Sequence, residues 1–291
     1  RDKDEVLWTV VDITERVKAK EKIDQLASKL SRYLSPQVYQ SIFSGKKNVK
    51  IEAYRKKLTV FFSDIKGFTE ITDRLEPEVL STLLNSYLNE MSKIALKYGG
   101  TIDKFVGDAI LIFFGDPETK GDKEDAYSCV LMALEMQERM HHLKNLWEGQ
   151  GITNPLEIRI GINTGYCNVG NFGSENRLDY TIIGGEVNLA SRLESNAMTG
   201  QILISQETYA LIKEHIVCEK KDEIKVKGIA HKIQTYQVVG SYKNIAEKRK
   251  ILNEEFDGFN LNIDLNISKK NKVITSLENT LKQLKKDEKS N

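Results

Sequence analysis

Between Lys57 and Phe114 the chain runs through a strand, an amphipathic helix and two strands joined by a tight turn, an order that few folds accept. Lys57-Leu-Thr-Val-Phe-Phe-Ser-Asp-Ile65 reads as a buried strand, because its apolar run is continuous rather than alternating. Pro77 to Tyr98 places Val79, Leu83, Tyr87, Met91, Ile94 and Ala95 on one helical face, and Gly99-Gly100 supplies a C-terminal stop. Thr101–Phe105 and Ala109–Phe114 are strands closed by Val106-Gly107-Asp108. A second amphipathic helix, Glu124 to Trp147, and a strand from Leu156 to Asn163 complete a β-α-β-β-α-β order. A strand at Asp179–Ile183, a helix over Glu186–Ser195 and short elements up to Val239 follow. Helices and hairpins in this order predict an α+β sandwich, with helices laid on the faces of a mostly antiparallel sheet.

The flanks differ in character. Val6 to Thr14 is β-branched and reads as a strand. Glu15 to Leu34 is charged, with Ile23, Leu26, Leu30 and Tyr33 at the three-four spacing of a coiled-coil seam or of a helix packed on its own domain. Pro36 ends that helix or starts another, and Gly45 to Lys50 reads as a loop. Beyond Gly240 the chain is rich in Lys, Asn and Glu, with a polar helix expected near Val273–Leu284. These shifts divide the chain into 1–16, 17–49, 50–240 and 241–291.

Composition excludes some partners. Lys and Arg number 43 against 42 Asp and Glu, and a net charge of +1 offers no global pull on nucleic acid or acidic lipid. An anionic ligand must therefore be held locally. Cys129, Cys167 and Cys218 lack CxxC spacing and read as free, buried thiols of a reducing cytosol, which makes the cytoplasm the expected location. No stretch approaches the ~20 apolar residues of a membrane span. The first residue is Arg1 rather than Met, so the chain is expected to be part of a longer one, with room upstream for a sensor or membrane anchor.

Asp64 ends an apolar strand, and Asp108 sits at the tip of a glycine-containing hairpin; both are awkward places for a carboxylate without a cation. Paired strands bring two such groups together as a natural Mg2+ site, whereas a lone Asp more often caps a turn or a following helix. Ile65-Lys66-Gly67-Phe68-Thr69 runs on from Asp64 into a helix, and its backbone N–H groups suit a polyphosphate.

Three segments together carry a resemblance: Phe62-Ser-Asp-Ile-Lys-Gly-Phe-Thr69, Lys104-Phe-Val-Gly-Asp108 and Asp179-Tyr-Thr-Ile-Ile-Gly-Gly-Glu-Val-Asn-Leu-Ala-Ser-Arg192. In order and spacing they resemble the class III adenylyl and guanylyl cyclase catalytic domain, over about Lys50 to Gly240. The resemblance implies a ferredoxin-like, palm-type sheet and two Mg2+ or Mn2+ ions held by Asp64, Ile65 and Asp108. It assigns the triphosphate to the segment Ile65 to Thr69 and to Lys227 in Val226-Lys-Gly228, with Lys225 on the same strand face. Asn188 orients the ribose, and Arg192, four residues on along the same helical face, stabilises charge at the α-phosphate. A surface ion pair of Arg192 with Glu186 or Glu194 is the structural alternative.

Lys104 and Thr181 occupy the family's base-reading positions. A donor to the ring nitrogen and an acceptor for the 6-amino group complement adenine. Guanylyl members carry glutamate and cysteine there, animal adenylyl members aspartate in place of Thr181, and a bacterial subgroup threonine. ATP is thus the expected substrate and cyclic AMP the product, with looser discrimination against GTP. The family shares its sites across a head-to-tail dimer, and a chain carrying both halves of the set implies a homodimer. Trp8–Arg16 resembles the exit of a PAS sensor and Leu30–Pro36 a transducing helix and turn. A guanylyl cyclase or a catalytically silent regulatory module are the competing readings; no Gly-Gly-Asp-Glu-Phe signature of a diguanylate cyclase occurs.

Overall fold

The computed structural model of the chain describes residues 12–30, 35–43, 52–149, 152, 156–174, 176–225, 232–242, 251–256, 259–264 and 270–287. Helices α1 (Thr14–Leu30) and α2 (Pro36–Phe43) lead into β1 (Ala53–Ile65), the short α3 (Phe68–Thr72) and α4 (Pro77–Tyr98). Strands β2 (Thr101–Val106) and β3 (Ala109–Phe114), helix α5 (Asp122–Gly149) and the long β4 (Ile158–Ser174) follow. Next come β5 (Arg177–Ile183), α6 (Gly185–Asn196), β6 (Ile202–Ser205), α7 (Gln206–Ile212), β7 (Ile216–Lys220) and β8 (Thr235–Ser241). Strands β9 (Ile251–Phe256) and β10 (Phe259–Asp264) pair as an antiparallel hairpin, and α8 (Lys270–Asp287) comes last. The chain divides into a compact unit of residues 1–212 and 219–238 and a second of 213–218 and 239–291.

The main sheet has the order β2-β3-β1-β4-β6-β8-β7, with β5 paired to β4. Its first four members, with α4 and α5 between them, are the expected ferredoxin-like β-α-β-β-α-β unit. Pairing within that unit is antiparallel, and only β4 with β6 runs parallel among the registered pairs. Consecutive burial of Leu58 to Phe61 and of all six residues of β3 follows from cover on both faces. Leu58, Val60, Leu111, Phe113, Cys167, Val169 and Ile182 meet Ala190 of α6 on one face. Glycine permits that approach: a Cβ on Gly161 would lie 2.2 Å from both the Ala190 carbonyl oxygen and the Glu194 amide nitrogen.

Local signals explain the boundaries. Pro77 opens α4 and Gly99, at φ 85°, closes it in the left-handed region. Pro36 starts α2 rather than ending a helix, and Gln37 ties α2 to the Gly100 carbonyl at 2.9 Å. Val79 departs from the expected buried face of α4: it is 41% exposed, and burial begins only at Leu83. Helical spacing fixes which side faces the sheet, not how far the sheet reaches. The expected strand Leu156–Asn163 begins at Ile158 and continues to Ser174, because its second half is paired by Ala53–Lys57 of β1 and by β5. The expected strand Val6–Thr14 and loop Gly45–Lys50 lie outside the described residues except at 12–14, where Thr14 already starts α1. Cys129 and Cys167 are buried and Cys218 half-buried, and burial raises all three thiols. No described helix is long and apolar enough to cross a membrane.

Candidate active site

The register of β1 decides where the site falls. Pairing with β3 ends at Ser63 opposite Ile110, so the turn that carries Gly107 (φ 65°) and Asp108 folds over the end of β1. Asp108 Oδ2 accepts the Ile65 N–H at 3.1 Å. Asp64 and Asp108, distant in sequence, are thereby brought close enough for each to act on the other's charge. The Asp108 carboxyl is pushed up to about 6, first by burial and then by the bond to, and negative charge of, Asp64.

Two crowded carboxylates, one driven toward its protonated form, suit a hard divalent cation. Among the described residues no group of three or more His, Cys, Asp or Glu gathers. A pair of carboxylates is what Mg2+ accepts when phosphate and water fill its other positions. Ile65 lies between the two acids, its N–H given to Asp108.

On β4, Arg159 is the direct cross-strand partner of Asp64. Its Nη2 lies 3.3 Å from Asp64 Oδ2 and 2.9 Å from Glu194 Oε1 of α6. This ion triad is largely dry, with side-chain exposure of 16% for Arg159, 29% for Asp64 and 5% for Glu194. Burial raises the Glu194 carboxyl to about 7; Arg159 opposes the shift, and the charges of Asp64 and Asp108 add to it.

The phosphate-binding segment differs from expectation. Helix α3 has five residues, too short for an aligned dipole of any size, and Gly67 caps it at φ 69°. The amides of Ile65 and Lys66 are already given to Asp108 and to the Glu157 carbonyl, the latter at 2.8 Å. Any cradle therefore falls to the amides of Gly67, Phe68 and Thr69.

A second cluster forms on β2 and β5. Thr181 is buried, and its hydroxyl donates to Asp103 Oδ2 at 2.6 Å. Lys104 Nζ lies 3.3 Å from the other oxygen of the same carboxylate. Lys104 and Thr181 are thus neighbours through Asp103. Tyr180, the residue before Thr181, donates to buried Asp116, which also accepts Tyr54 Oη at 2.6 Å and Lys56 Nζ at 2.9 Å. Strand β5 is pinned at the point where it presents Thr181.

Helix α6 carries Asn188 and Arg192 on its exposed side, while Leu189, Ala190, Leu193 and Glu194 are buried. Glu186 and Glu194, the alternative partners of Arg192, are engaged by Asn163 at 2.7 Å and by Arg159. Lys227 and the Val226-Lys-Gly228 segment lie outside the described residues.

The model of the family described as the adenylate and guanylate cyclase catalytic domain matches residues 49–240. The chain belongs to that family.

Among solved structures, the cyclase resembles the adenylyl cyclase CyaB from P. aeruginosa at 64% identity and a TM-score of 0.65, covering 66% of this chain and 98% of that one. It resembles the guanylyl cyclase Cya2 at 37% identity and a TM-score of 0.63, covering 66% and 95%. The terminal-differentiation-specific adenylate cyclase of Dictyostelium discoideum is 34% identical over 228 residues, which are 76% of this chain and 10% of that relative. The match to adenylate cyclase 1 of Rhizobium meliloti, 32% identical, spans 65% of this chain and 28% of that protein. Catalytic domains of this family bind a nucleotide and depend on Mg2+ or Mn2+.

Three residues that the structure sets beside Asp64 or Thr181 escape a reading by motif: Asp103, Arg159 and Glu194. Arg159 had a visible signal, a lone charge between buried Ile158 and Ile160. Asp103 had none beyond its place beside Lys104.

Proposed function

We propose that this cyclase is an adenylate cyclase, forming 3′,5′-cyclic AMP and pyrophosphate by in-line attack of the ribose 3′-oxygen on the α-phosphate of ATP. The observation that carries the proposal is the convergence of Asp64 and Asp108 at the end of β1, where the Ile65 N–H is given to Asp108 and burial, then Asp64, pushes the Asp108 carboxyl up to about 6. Bound divalent cations supply activation of the 3′-hydroxyl and neutralisation of the triphosphate. The protein's part is to hold those cations and to orient one molecule against itself. Asp64, Asp108 and Ile65 form the metal-facing edge. Lys66 to Thr69 line the approach of the phosphates, Lys227 adds a further cation, and Arg159 holds positive charge beside Asp64.

Adenine over guanine is supported by Lys104 and Thr181, brought together through Asp103. A lysine donor with a hydroxyl acceptor complements the ring nitrogen and 6-amino group of adenine. The identity to an adenylyl cyclase structure supports the same choice.

Sharing of sites in a homodimer is supported by the geometry of α6. Glu194 points to Arg159 beside Asp64; Arg192, two residues earlier, is about 200° round the helix. Arg192 and Asn188 therefore turn away from their own metal edge and suit the site of a second copy, where Asn188 orients the ribose and Arg192 meets the α-phosphate. Regulation through the flank is part of the proposal. Residues 1–16 are the end of a PAS-like sensor, 17–49 a signalling helix, 50–240 the catalytic domain and 241–291 a polar tail. Exposed Ile23 and Leu26 on α1 give part of the seam for a parallel partner helix, and α2 passes the change to the start of β2 through the bond of Gln37 to Gly100.

The test is product analysis of the purified chain with ATP or GTP, with Mg2+ or Mn2+. Cyclic AMP formed in preference to cyclic GMP is expected. Equal turnover of both nucleotides would overturn the substrate assignment, and absence of cyclic product from either would overturn the reaction.

A further inference from the structure

Thr181 carries a hydroxyl, and a hydroxyl is ambivalent: it has one hydrogen to donate and two lone pairs to accept with. Adenine presents an amino donor at its 6-position, guanine a carbonyl acceptor. A free threonine could serve either base by rotating. Asp103 removes that freedom. Its Oδ2 accepts the Ile182 N–H at 3.2 Å, a group that can only donate, and the Thr181 hydroxyl at 2.6 Å. Oδ2 is thus an acceptor, and the hydrogen of Thr181 is spent on it. Only lone pairs remain to face a base.

We propose that Asp103 is a specificity-determining positioning residue, which makes the base pocket read adenine by fixing Thr181 as an acceptor. The inference rests on the adenylate cyclase reading of the same site. The Asp103 side chain is 1% exposed, so water does not compete for the Thr181 hydrogen. Its Oδ1 lacks an aligned hydrogen bond and lies 3.3 Å from Lys104 Nζ, so one carboxylate stands between both base-reading side chains. Burial raises the Asp103 carboxyl, while the hydrogen bonds from Thr181 and Ile182 and the charge of Lys104 oppose the rise. Strand β5 is fixed on its other side by Tyr180 and Asp116, so Thr181 cannot swing out of reach as a segment.

The decisive variant is Asp103→Ala in the full chain, with kcat/KM measured for ATP and for GTP in Mg2+. Alanine removes the carboxylate that holds the Thr181 hydrogen, which frees the hydroxyl to donate to a guanine carbonyl. The ATP-to-GTP ratio of kcat/KM should fall roughly tenfold, the scale of one polar contact. In a Thr181→Val background the same change should leave the ratio unmoved, because no hydroxyl remains to orient. Equal slowing of both nucleotides by Asp103→Ala, or an undiminished shift in the Thr181→Val background, overturns the assignment. Should Asp103→Ala fail to fold, Thr181→Ser and Thr181→Val carry the test. Serine, still donating to Asp103, keeps the ATP preference and valine loses it; a valine variant with full preference overturns the idea. Wild-type protein that makes no cyclic product refutes the cyclase reading and this one with it, whereas product with an unmoved ratio refutes this one alone.

Discussion

Replacing Asp108 by asparagine should stabilise the metal-free protein while removing its activity. In the folded chain the Asp108 carboxyl is raised from an ordinary 3.8 to about 6 by burial and by Asp64. A raised acid binds its proton more tightly folded than unfolded. Its contribution to stability is full below about pH 3.8 and is lost as pH rises through about 6. At pH 7.5 the whole penalty is present. At 1.36 kcal/mol per pH unit the ceiling is about 3 kcal/mol. Asp108 keeps solvent contact, and screening reduces that to about 1–2 kcal/mol. Asparagine retains an oxygen to accept the Ile65 N–H and carries no charge, so Asp108→Asn should recover this amount in EDTA. For a domain of this size the melting temperature should rise by about 2–8 °C. Asp64→Asn should recover less, because it also deprives Arg159 of a partner. Mg2+ should stabilise the wild type but not Asp108→Asn, since binding to the native state alone raises stability by mass action. Denaturation curves in EDTA and in Mg2+, at pH 4.5 and 7.5, check each step. An Asp108→Asn protein no more stable than wild type in EDTA at pH 7.5 would refute the reasoning.

Mixing inactive Asp64→Ala with inactive Arg192→Ala should restore roughly a quarter of wild-type activity, because random pairing leaves one complete site in half of the dimers; no rescue would refute site sharing. Arg159→Ala should destabilise the fold by about 3 kcal/mol by leaving Glu194 buried beside the acidic pair, and adding Glu194→Gln should recover part of the loss, read from urea denaturation. Gly161→Ala should cost about 3 kcal/mol or more and depress activity, since its Cβ would collide with the α6 backbone at 2.2 Å, and a thermal melt together with a product assay reads both effects.

Much of this protein is legible in the chain itself. The buried run at Lys57–Ile65, the helix closed by Gly99 and the hairpin around Gly107 are local signals, written in apolar spacing and in residues that only certain backbone angles accept. They suffice for the β-α-β-β-α-β order and for placing Asp64 and Asp108 at strand ends. The pairing of Asp64 with Asp108 rests in the sequence on the cyclase motifs, since by itself each Asp could equally cap a turn or a helix. What tertiary structure alone decided is non-local. Arg159 faces Asp64 only through the register of β1 against β4. Glu194 joins them only because Gly161 lets α6 settle on the sheet. Asp103 reaches Thr181 across strands that are not neighbours in the sheet order. The physical reason is range: helical and strand periodicity is set within a few residues, whereas the charge and hydrogen-bond partners of a buried acid are chosen by which distant strand the core packs beside it.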